Sequence, residues 1–147
     1  MVKFIKIGRL CVLLNGRFAG KKCFIVKCFD EGSKSRPYAH ALVAGVEQTF
    51  KRLSKKHTPR QIQKRTTLKT FVKYINYKHL MPTRYVLPVE VDPRKVVTDA
   101  QMDSSEGRKS ACKALSVMLK EKFIYPPLDK NGQPNRDVMF LRNKLRF

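Results

Sequence analysis

The sequence predicts a mainly β protein with an α-helical extension toward its C-terminus. Up to residue 92, five short runs of aliphatic, β-branched and aromatic residues are separated by Gly, Asn, Asp and Pro, the punctuation of strands and turns. Beyond Pro93 the large apolar residues recur at helical spacing instead. A chain of 147 residues holds one domain of ordinary size, or a small one with appendages, and excludes a large multi-domain catalyst. Its 42% hydrophobic content suffices for a packed core and is too high for a disordered basic tail.

Arg9–Leu14 sets Leu10, Val12 and Leu14 against Arg9, Cys11 and Leu13, a first strand. Asn15-Gly16 signals a turn, and Cys23–Phe29, with Phe24, Val26 and Cys28 in alternation, is the returning strand. Gly8, Gly16 and Gly20 allow the tight backbone that a small barrel needs at its corners. Asp30-Glu31-Gly32-Ser33 closes this unit, and Tyr38–Val46 is a third strand. Thr58-Pro59 reads as an N-cap with proline at the first helical position, so Arg60–Thr66 is expected as a short helix, polar all round and unburied. Leu68–Tyr77 is a fourth strand, with Phe71 and Ile75 on its buried side. Val86–Val91 is expected as a final edge strand, where Pro88 is tolerated.

Ala111, Cys112, Leu115, Met118, Leu119 and Phe123 predict an amphipathic helix over about 104–124. Asp103 is its expected N-cap, Glu106 lies in the first turn and Lys120 and Lys122 in the last, as the helix dipole favours. Pro126-Pro127 ends it, Asp129–Asp137 is a loop, and the final Met139–Phe147 mixes cations with large apolar groups that are expected to dock. No internal repeat is visible.

Charge sets the functional expectation. Lys and Arg number 32 against 11 Asp and Glu, a formal charge of +21. No acid occurs between Glu47 and Glu90, and those 42 residues carry 11 cations: Lys51, Arg52, Lys55, Lys56, Arg60, Lys64, Arg65, Lys69, Lys73, Lys78 and Arg84. A surface that is merely solvated mixes signs to limit self-repulsion. An outside polyanion is therefore expected, with nucleic acid ahead of an acidic protein or a membrane surface. The first loop adds Arg17, Lys21 and Lys22 beside Phe18, cations for phosphates and a ring for a base or ribose. Tyr77, His79 and Tyr85 are candidates for stacking on splayed bases, and Arg142, Lys144 and Arg146 add cations at the end.

Other chemistries find little support. The N-terminus has no apolar stretch of signal length, and no uncharged run approaches a membrane span; a soluble, intracellular chain is expected. Cys11, Cys23, Cys28 and Cys112 then read as reduced thiols packed as small hydrophobes. Cys23, Cys28 and His40 match no common zinc spacing and lack a fourth ligand, so no metal site is expected. His40, His57 and His79 have neither a nucleophile nor a carboxylate dyad beside them. No catalytic residue, cofactor or small-molecule substrate is expected.

The unit Lys6–Lys22 resembles the KOW element of SH3-like barrels. Arg36-Pro37-Tyr38-Ala39-His40-Ala41-Leu42-Val43-Ala44-Gly45-Val46 and Tyr74-Ile75-Asn76-Tyr77-Lys78-His79-Leu80-Met81-Pro82-Thr83-Arg84-Tyr85 are similar to the two most distinctive segments of the eukaryotic large-subunit ribosomal protein family that stands twenty-seventh in the eukaryotic series. The ending Lys144-Leu145-Arg146-Phe147 is similar as well. The likeness covers residues 1 to about 90 and the tail; between about 93 and 138 this chain is less densely basic. It implies an SH3-like KOW barrel over 1–92, with a basic insertion at about 48–70, then a helical extension and tail over 93–147. It also implies a structural role in the cytosolic 60S subunit after nucleolar passage, with ribosomal RNA and neighbouring large-subunit proteins as partners and no membrane. By the same likeness RNA contact falls on Arg17, Lys21, Lys22, Arg36, His40, Lys64, Arg65, Lys69, Lys73, Tyr77, His79 and Arg84. The rival reading is a KOW-type transcription or RNA-processing factor that binds RNA transiently. An RNA-modifying enzyme is a third, disfavoured because a barrel this small offers little room for a cofactor pocket.

Overall fold

The computed structural model describes residues 4–89, 91–129 and 131–145. Five antiparallel strands, β1 (Arg9–Leu13), β2 (Lys22–Phe29), β3 (His40–Gln48), β4 (Lys69–Asn76) and β5 (Leu80–Val86), form one sheet in the order β4-β3-β2-β1-β5. The outermost strands, β4 and β5, are joined by a single 3₁₀ turn, Tyr77–His79. Five flat strands would set them about 19 Å apart, whereas the path from Asn76 to Leu80 reaches at most about 14 Å. The sheet therefore curls toward a barrel, with bulges in β2, β3 and β5 adding bend where a rolled sheet needs it.

Curling explains why both faces of the strands are buried. Cys11, Leu13, Cys23, Ile25, Ala41, Val43, Phe71, Ile75 and Leu80 form one apolar cluster that holds no α-helical residue among those described. Alternate positions, Leu10, Phe24, Val26, Leu42, Ala44 and Val46, face a second cluster completed by helices. Gly45 is required in β3, because a Cβ there would lie 2.6 Å from both the Lys22 carbonyl and the Phe71 ring. Gly8, Gly16 and Gly20 all adopt positive φ, as the corners demand.

The expected final strand at Val86–Val91 is overturned: β5 ends at Val86 and starts at Leu80. Pro82 breaks the apolar alternation there but is tolerated because β5 pairs only with β1. Helix α1 (Pro59–Arg65) has the anticipated Thr58 cap, in a reciprocal box with Gln61, and buries nothing. A short α2 (Asp99–Asp103) precedes α3 (Ser105–Ile124), so Asp103 closes one helix and Ser104 caps the next. Ala111, Leu115, Leu119 and Phe123 are the buried stripe of α3. Hydroxyls of Thr70 and Ser116 donate to the carbonyls of Cys112 and Leu68, both at 2.8 Å, fixing α3 to β4 and its approach. Within the expected C-terminal loop, Asn135 accepts from the amides of Asp137 and Val138 and starts α4 (Arg136–Arg142), which buries Val138 and Leu141. The tail therefore docks through a helix. No helix among the described residues is long and apolar enough to cross a membrane.

Candidate nucleic-acid interface

The acid-free run separates into a buried and a displayed part. After β3 the chain passes through Lys51, Arg52, Lys55 and Lys56 into α1, which displays Arg60 and Lys64, all exposed. The half-buried Arg65 holds this segment together, donating from its guanidinium to the Arg52 carbonyl at 3.1 Å while its own carbonyl accepts from the Lys51 amide. Lys69 and Lys73 stand exposed on β4, and Lys78, His79 and Arg84 line the approach to β5 and its outer side.

Beside this segment the C-terminal residues build a groove. About 990 Å³ of space is bounded by Lys51, Arg52 and Leu53 on one bank and Arg142, Lys144 and Leu145 on the other, over Phe50 and Phe140. Every charged residue lining it is a cation. Low-dielectric walls with one sign of charge concentrate the field on a passing polyanion. Arg146 lies outside the described residues.

Several expected contacts have internal partners instead. Lys22 is 6% exposed; its ammonium donates to the carbonyls of Phe140 and Asn143, both at 2.6 Å, and lies 4.0 Å from the Phe140 ring centroid. It serves as a clamp on the end of α4, and burial lowers its pKa from the ordinary lysine value. His40 is buried, stacked on Phe29 with its Nδ1 2.8 Å from the Tyr38 carbonyl oxygen. Tyr77 donates its hydroxyl to Asp30 at 2.8 Å and packs on the barrel cluster; burial and that bond raise its pKa. Phe18 stacks on Phe71 at 4.1 Å and Tyr85 on Phe140 at 4.2 Å, which covers one face of each ring. Lys22, His40 and Tyr77 thus have structural roles within the fold, while Arg17 and Lys21 are exposed on the first loop.

Burial drives the thiols toward neutrality: Cys11 is pushed up to about 12 and Cys23 also well up. None of the four cysteines forms a disulfide among the described residues. No three His, Cys, Asp or Glu side chains converge as a metal site would need among the described residues.

A second cleft, about 580 Å³, brings Arg36 and Lys73 together with Arg108 of α3. Arg108 was not anticipated, although it precedes Leu115 by seven positions and so belongs to the stripe that faces the sheet.

The Ribosomal L27e protein family model matches residues 10–145. The chain belongs to that family. The match runs through residues 93–138, where the sequence alone suggested departure. Among L27e-family relatives, large ribosomal subunit protein eL27 of Pyrobotrys stellatus is 47% identical over 84% of this chain and 90% of its own. Protein eL27B of Saccharomyces cerevisiae is 45% identical with both chains covered in full, and eL27 of Tetrahymena thermophila is 39% identical, again over the whole of both.

Proposed function

We propose that the chain is a structural constituent of the large ribosomal subunit, and that it binds folded ribosomal RNA by charge and shape. The observation that carries the RNA reading is the groove whose charged lining is wholly cationic, continued by the acid-free segment and α1. Closely packed phosphates repel one another, and a wall of ammonium and guanidinium groups lets RNA segments approach while releasing their counterions. Residues 1–92 form the RNA-binding body in this reading. Residues 93–147 brace it through α3, and α4 supplies one bank of the groove. The protein acts in the cytoplasmic ribosome after assembly in the nucleolus, beside other large-subunit proteins, with no chemistry of its own.

Replacing Lys51, Arg52, Lys64, Arg142 and Lys144 by Gln tests this. With large-subunit RNA as ligand, the slope of log affinity against log salt is expected to become shallower by about 4, at roughly 0.7–0.9 per lost phosphate contact. An unchanged slope places the contacts elsewhere.

A further inference from the structure

The cleft between the β2–β3 connection, β4 and α2 differs in kind from the cationic groove. Arg36, Lys73 and Arg108 line it, but so do Asp99 and Asp103. In a chain of charge +21 that binds a polyanion, two carboxylates beside three cations repel phosphate, so plain charge attraction does not account for them. Their surroundings suggest what they select.

Arg36 is half-buried, and its guanidinium lies 4.4 Å from the centroid of Tyr74. Tyr74 is anchored from the opposite wall by Asp99, which accepts its hydroxyl at 3.4 Å and also pairs with Lys27. A planar cation backed by an aromatic ring is a surface on which a nucleobase stacks. Asp99 is occupied by these partners, leaving the exposed Asp103 as the acceptor at the mouth. A carboxylate offers two adjacent acceptors and no donor. Guanine alone among the four RNA bases presents two parallel N–H donors, N1–H and N2–H, on its Watson–Crick edge. Lys73 and Arg108 supply charge for the attached phosphate.

We propose that this cleft takes one unpaired guanine nucleotide of RNA, with its base on the outer face of Arg36, its Watson–Crick edge on Asp103 and its phosphate between Lys73 and Arg108. The inference deepens the reading of the chain as an RNA-binding protein and rests on it for the natural source of the nucleotide.

Titration of the full chain with GMP, AMP, CMP and UMP, followed by NMR, tests the cleft directly. GMP is expected to shift the Arg36, Tyr74 and Asp103 signals and to bind about tenfold more tightly than the other three, the discrimination that one bidentate pair supplies. Asp103→Asn should abolish the preference while retaining weak binding of all four nucleotides. Arg36→Lys, which keeps the charge and loses the plane, should weaken all four at the cleft. Equal affinities for the four nucleotides, or shifts centred on the Arg52 and Arg142 groove, overturn the proposal. Salt-dependent binding of large-subunit RNA is measured separately on the same variants. Intact RNA binding without guanine preference defeats the cleft alone, whereas guanine preference without RNA binding defeats the wider functional reading alone.

Discussion

Seven consecutive residues of β3, His40 to Val46, are buried, and a few positions later the chain runs from Lys51 to Thr67 without burying one. The first stretch carries no Lys or Arg; the second carries seven, with no acid. β3 is held by two neighbouring strands and two apolar clusters. The second stretch is held by a cap at Thr58, by Arg65 on the Arg52 carbonyl, and by one seven-residue helix, a length that is marginal in water by itself. Cations are concentrated where the fold is weakest, because a charged head group that stays hydrated cannot also be part of a core. The sheet supplies stability and the segment supplies charge.

Removing core from beneath the sheet should break that arrangement most severely. Phe123 is fully buried and meets Phe50 edge-on, with ring centroids 6.1 Å apart. Phe123→Ala should cost about 3–5 kcal/mol, a large part of a domain's total stability, and urea unfolding would measure it. A smaller effect is expected where the cationic groove meets the core. Lys22→Met keeps the long apolar stem but leaves the Phe140 and Asn143 carbonyls without their ammonium, at a cost of about 1–3 kcal/mol. Faster amide exchange in α4, with the strands still protected, would show that the loss is felt at the bank of the groove. The smallest effect belongs to the segment itself. Thr58→Ala should weaken α1 by about 1 kcal/mol and speed exchange of the Ile62 and Thr66 amides, which donate to Thr58 and Ile62. The global unfolding midpoint should correspond to a change below about 0.5 kcal/mol. A large global loss would mean that the segment supports the sheet after all.

These contrasts also explain what the sequence made legible. β1 to β4 and the α3 stripe follow from alternation and helical spacing because each has a face against a core. β5 was misplaced by several residues: Met81, Pro82 and Arg84 conceal its pattern, and only its edge position makes Pro82 acceptable. Helix α4 is too short for periodicity to reveal, and Asn135, its cap, has the composition of a turn residue. Among candidate site residues, the exposure of the cations of 51–64 was readable because nothing else in the fold claims them. Lys22 was not, since its acceptors lie 118 and 121 positions away. His40 and Tyr77 likewise have partners that only the folded sheet brings near, Phe29 stacked on one and Asp30 bonded to the other.

The pairing of β1 with β5 has a consequence for how the protein is made. Arg9 is opposite Val86 and Leu13 opposite Leu80, so one side of the first strand has no partner until the fifth has been synthesised. At about 5–20 residues per second, that interval lasts roughly 4–15 seconds, during which the emerging chain presents an unsatisfied row of amides and carbonyls next to buried-type side chains. Open strand edges of this kind invite pairing with other chains. The part of the newborn polypeptide most in need of shelter is therefore its beginning, and the cationic segment that follows, whose only regular structure is local, can emerge without it.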